Sequence, residues 1–299
     1  TEPRAPATPE THGAPTLVAS AAEHGGEGGE AAGGEGGEAA GGEGGEAAGG
    51  EGGEGGGAGP MSVFGSGGEG GGEGGEGGEG SSYGPDATES PGVFYTQLAL
   101  MLGHMEVGRA LYEAGARDIG STHLGHPAAE HLPVVREALV QRGLDDTRAR
   151  IEQLARTASG DTDWSAVRPA HDAAADAIRA AMNDVDAERR HDPAFLAKVL
   201  TAMLHQARHE YEEAIDDGRF VADHEYHDSW GFVQVGHDLL TRNAEVFEAA
   251  DAAAYGELVS RYEDVMAAWP TATVPAEPAM SVSELYGRVS AFEFAAGAF

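Results

Sequence analysis

Glycine is distributed so unevenly that it divides the chain in two. Of 47 glycines, 34 fall at or before Gly92, and the remaining two-thirds of the sequence holds 13. A residue without a side chain buries nothing, so residues 1–92 cannot build a core. The sequence from 93 to 299 is of a size that suits one helical domain.

The first part is a repeat arm. After a Pro/Thr/Ala-rich lead-in, the octad GGEGGEAA occurs at 25–32, 33–40 and 41–48, GGEGGEGG follows at 49–56, and a second tract runs from 67 to 80. An α-helix is disfavoured by the cost of glycine, about 1 kcal/mol per residue relative to alanine. The open readings are a flexible, self-repelling linker and an extended three-residue-per-turn helix that packs on another chain. Ordering glycine costs about 1–2 kcal/mol per residue with almost no apolar burial in return, so an ordered arm needs hydrogen bonds from a neighbour. The arm is therefore the expected route to self-association. Met61, Val63 and Phe64, an apolar island between the two tracts, are the expected anchor in that neighbour's groove.

Charge and composition exclude whole classes of function. The net charge is -33, which repels nucleic acid and anionic lipid and attracts cations. Cysteine is absent, which removes disulfides, thiolate nucleophiles, iron–sulfur clusters and covalent c-type haem. No apolar run reaches the roughly 18 residues of a membrane span. The numbering opens on Thr1, which leads us to expect an export signal already removed, and hence a periplasmic or extracellular protein.

From Pro91 the apolar residues recur at helical spacing, as in Leu98, Met101, Leu102, Met105 and Leu111. Helices are predicted over 93–114, 127–141, 146–157, 164–182, 193–217, 224–250 and 252–269, with a last one opened by Ser281 or Ser283. Gly143, Gly218 and Pro270 act as stops, and Ser281 with Glu284 forms a capping box. The fold class is all-α, a bundle of about seven or eight helices behind an extended Gly/Glu arm.

Eleven of the 13 histidines lie in this helical part. Imidazole is the commonest transition-metal ligand, and helical pairs three or four apart put two rings on one face. His205 and His209, with Glu212, form such a stripe, although without the glutamate that a zinc-protease motif needs after its first histidine. His123 and His126, expected in a loop, precede Glu130 and His131 on the helix that Pro127 starts. His227 lies beside Asp228, which is able to orient a neighbouring imidazole. His104 sits between Met101 and Met105 on the first apolar stripe, where a buried histidine suits copper or haem iron. The candidate ligands are thus His104, His123, His126, Glu130, His205, His209 and His227, for iron, copper or zinc.

Gly103-His104 with Glu106, His126-Pro127 with Glu130, and the run Glu225-Tyr226-His227-Asp228-x-Trp230-Gly231-Phe232 resemble imelysin-type periplasmic metal-binding helical proteins over about residues 93–250. The histidine and glutamate of the first motif stand two apart here, where that family has them three apart. The resemblance implies iron or copper handling in the periplasm or outside the cell, without catalysis.

Two functional readings follow. In one, the bundle is a non-enzymatic holder of a transition metal or a metal-containing group. In the other, the protein is a structural subunit of an extracellular homopolymer or filament whose arm orders between protomers. No nucleophile with an acid/base partner stands out, so no enzymatic activity is expected.

Overall fold

Ser90 followed by Pro91 is a helix start: serine caps free N–H groups, and proline at the first position lacks the one it would leave unpaired. In the computed structural model, which describes residues 60–64, 86–158 and 162–299, Ser90 Oγ accepts from the N–H of Val93 and opens helix α1 (Pro91–Glu113). The Gly-Gly-Glu tracts lie outside the described residues, and so does the expected extended arm.

The described residues form an all-α bundle. After α1 come α2 (Arg117–His126), a π-helical turn (Pro127–His131) and α3 (Leu132–Gln141). They are followed by α4 (Asp145–Thr157), α5 (Trp164–Asn183), the one-turn α6 (Ala187–Arg190) and α7 (Pro193–Glu213). The last three are α8 (Asp223–Arg242), α9 (Ala244–Met266) and α10 (Val282–Ala296). Asp192 caps α7 by accepting from the N–H of Ala194, and Ser281 caps α10 by accepting from that of Glu284, as the sequence predicts.

The boundaries differ from expectation in three places, each with a local cause. The N–H of Ala116 bonds back to the carbonyl of Leu111 across Gly115, whose φ of 86° ends α1 and lets α2 begin at once. His123 and His126 therefore sit on a helix and not in a loop. Helix α7 stops at Glu213, and the chain turns through a two-residue hairpin, Ile215–Asp216 against Arg219–Phe220. The predicted helix over 224–250 breaks earlier, at Asn243. The predicted break near 251 survives as a kink, where Asp251 is extended and its carboxylate accepts from the N–H groups of Ala253 and Ala254.

Helix α1 runs through the middle, packed against α2, α5, α7 and α8, and Phe94, Leu98, Met101 and Met105 are fully buried. Glycines set two of these crossings. A Cβ on Gly231 of α8 would stand 2.2 Å from the carbonyl oxygen of Gly103, and one on Gly120 of α2 would stand 2.8 Å from that of Gly108. Backbone thus meets backbone at α1–α8 and α1–α2, and both crossings flank His104. The buried aromatics keep their polar tips bonded: Tyr211, Tyr226 and Tyr262 donate to the carbonyls of Met280, Thr271 and Val233.

Residues Pro60–Phe64 form one 3-10 turn against α1 and α7. Met61 is buried in the bundle's core, Val63 and Phe64 pack on it, and the Phe64 ring lies over Gly92. Met61, Val63 and Phe64, expected to anchor in a neighbour, here meet the bundle of their own chain. Val63 and Phe64 are half-buried and keep part of their apolar surface open.

Candidate metal centre

The two tight crossings bring α1, α2 and α8 close enough for short polar side chains to meet. Asp228 of α8 is 4% exposed and is the hub. Its Oδ1 lies 2.6 Å from His104 Nδ1 and 2.8 Å from His123 Nδ1, and its Oδ2 lies 3.2 Å from His126 Nδ1. One carboxylate from α8 thus meets three imidazoles from α1 and α2.

The outer edge is built by the π-turn. The N–H of Leu132 bonds to the carbonyl of Pro127, five residues back, which widens this turn relative to an α-helix. The widened turn puts His126 and His131 on the same side, although residues five apart diverge on an ordinary helix. His131 Nε2 lies 2.8 Å from His104 Nε2, and His131 Nδ1 lies 2.6 Å from Gln97 Oε1. The half-exposed Glu130 reaches to 3.6 Å from both His104 and His126. On the far side, His123 Nε2 lies 3.3 Å from His227 Nδ1.

Protons cannot satisfy this set completely. A carboxylate only accepts, so the Nδ1 atoms of His104 and His123 carry their hydrogens, and in neutral rings each Nε2 is then a bare lone pair. The Gln97 oxygen imposes the same on His131, so lone pairs of His104 and His131 face each other at 2.8 Å. A cation or an extra proton there relieves the repulsion, as does inversion of the Gln97 amide. His126 Nδ1 is buried without a hydrogen-bond partner, being off the line that Asp228 would need. An orphaned imidazole nitrogen in a nest of donors fits a metal ion.

The electrostatics agree. Burial alone would raise the pKa of Asp228, yet His104, His123 and His126 hold its carboxyl well below the usual range. His131 is pushed well down by burial and then by His104 and His126. His227 is pushed down to about 4 by burial and by His123. Neutral imidazole is the ligating form. His126 goes the other way: burial opposes its charge, but Asp228, Glu130 and Glu225 outweigh it and raise its pKa. Beside them Glu210 of α7, bonded to Gln206, is pushed up to about 9 by burial and by its hydrogen-bonded partner Glu225.

Ligand atoms of His104, His123, His126 and Asp228 all lie within 4.8 Å of one another, and so do those of His104, Glu130 and His131. Only small shifts would bring either set to the roughly 2 Å of a metal–nitrogen bond. Of the residues singled out from the sequence, the fold gathers His104, His123, His126, Glu130 and His227. It does not bring His205 and His209 there. They lie on the α10 side of α7, where His205 meets Glu293, Glu212 accepts from the Tyr286 hydroxyl, and His209 is exposed. The sequence reading missed His131 as a donor and gave Asp228 only an orienting role. Side chains of two other helices, α1 and α2, converge on Asp228, which no spacing along the chain reveals.

A family model described as the iron permease-associated 4-helix bundle domain matches residues 186–296, just over a third of the chain. No curated protein and no solved structure matches. The resemblance to imelysin-type proteins is corrected by this match. Glu106, which that resemblance sets beside His104, pairs instead with Arg109, since residues two apart on a helix face different ways. The matched segment spans α7 to α10 and contributes Asp228, Glu210, Glu225 and His227. The other imidazoles come from α1, α2 and the π-turn, outside it.

Proposed function

We infer that the chain is a non-enzymatic metal-binding protein that holds a transition metal between α1, α2 and α8. The observation that carries this reading is the convergence of three imidazoles on the buried Asp228, with His126 Nδ1 near the carboxylate but without a hydrogen bond to it. Nitrogen and carboxylate donors without sulfur suit iron, copper or zinc. Iron comes first, because the matching family is described as iron permease-associated. The protein would then serve beside an iron-transporting membrane protein, in the periplasm or outside the cell. No described helix is long and apolar enough to cross a membrane. Self-association through the arm, and with it the filament reading, stays a proposal, since the repeat tracts lie outside the described residues.

The test is a titration of the metal-stripped full chain with iron(II), iron(III), copper(II) and zinc(II), with bound metal counted by elemental analysis. Saturable uptake of iron is expected. The variant Asp228→Asn keeps the shape but loses the charge, and should bind about 10–100-fold more weakly. His205→Ala with His209→Ala should leave affinity unchanged. Unsaturable uptake, or Asp228→Asn binding like the parent, overturns the reading.

A further inference from the structure

Turned away from the metal centre, another face of α1 borders a half-open cavity of about 570 Å³ together with α5, α6 and α8. Four of the chain's 18 lysines and arginines line it: Arg109, Arg179, Arg190 and Arg242. In a molecule of net charge -33 this is a local inversion of sign. Two carboxylates share the lining, and each is already taken: Glu106 by Arg109, and Asp238 by Arg242 at 2.7 Å.

The other two guanidinium groups are less committed. Among the described residues Arg179 pairs only with Asp176, 3.6 Å away, in a pair whose partners are 50% and 83% exposed, where solvent leaves little attraction. Arg190 donates to the carbonyl of Val185 and to the side-chain oxygen of Asn183, and no carboxylate among the described residues pairs with it. The lining also holds the amide side chains of Asn183, Gln234 and Asn243, which add N–H donors.

We propose that this cavity binds a small multivalent oxyanion, a dicarboxylate or a phosphate. Guanidinium forks match carboxylate and phosphate oxygens two at a time, and the cavity has the volume of an ordinary small-ligand site. The net charge of its arginines and carboxylates is positive, so an anion entering it gains attraction that the rest of this acidic surface denies. The site is independent of the metal centre, and the two can fail separately.

The experiment is isothermal titration of the full chain with inorganic phosphate and with succinate, at ionic strength matched by chloride. Saturable binding of at least one is expected, and the stronger of the two identifies the class. Arg190→Gln and Arg179→Gln should each weaken it at least about tenfold, the loss of a charge-assisted contact. Arg148→Gln, outside the cavity, and Asp228→Asn, in the metal centre, should not. Circular dichroism establishes that each variant is folded. If neither anion saturates the parent chain, or if both folded cavity variants bind as the parent does, the site does not exist.

Discussion

Asp228 and Glu210 face one another's surroundings across α7 and α8 with opposite protonation. Asp228 stays charged because three imidazoles surround it; Glu210 stays protonated because burial and Glu225 oppose its charge. For Glu210 the pKa is raised from 4.5 in the free side chain to about 9 in the fold. Its contribution to stability is therefore complete below about 4.5 and is lost as pH rises towards about 9. His227 slopes the other way: lowered from 6.5 to about 4, its neutral ring favours the fold above 6.5 and counts against it as pH falls towards 4. Glu210→Gln removes only the first slope. Urea melts of parent and variant should coincide near pH 4.5 and then separate in the variant's favour as pH approaches 9. Parallel curves would mean that Glu210 titrates normally.

Among the elements, the crossing of α1 and α8 decides whether there is a site at all. Gly103 and Gly231 let His104 and Asp228 come within hydrogen-bond reach. Gly231→Ala forces a Cβ into the Gly103 carbonyl, so we predict a loss of about 1–3 kcal/mol, read from denaturant melts, together with weaker metal binding. Unchanged stability would show that the crossing yields easily. Long helices were legible from apolar spacing, and their caps from Ser281, Asp192 and Gly143. The start of α2 was not, and His123 and His126 were expected in a loop. Gly120 is helical because it packs on α1, a tertiary cause that overrides propensity. The π-turn was equally hidden: Pro127 signals a helix start, and here it falls inside a continuous helical run.

Across the whole molecule, the site joins two parts of different standing. The segment similar to the iron permease-associated bundle supplies Asp228 and His227, while the elements before it supply Glu130 and the remaining imidazoles. Local spacing made His123, His126 and Glu130 visible as one group, and it gave His205 and His209 equal weight. Only the fold separates them, by turning one stripe of α7 towards α10 and placing His104 opposite Asp228. The central claim is that these distant segments share one ion. Anomalous diffraction at the iron edge, from crystals of the iron-loaded chain, tests it directly. A peak bounded by His104, His123 or His131, His126 and Asp228 or Glu130 is expected. A peak at His205 and His209, or none in the bundle, would contradict it.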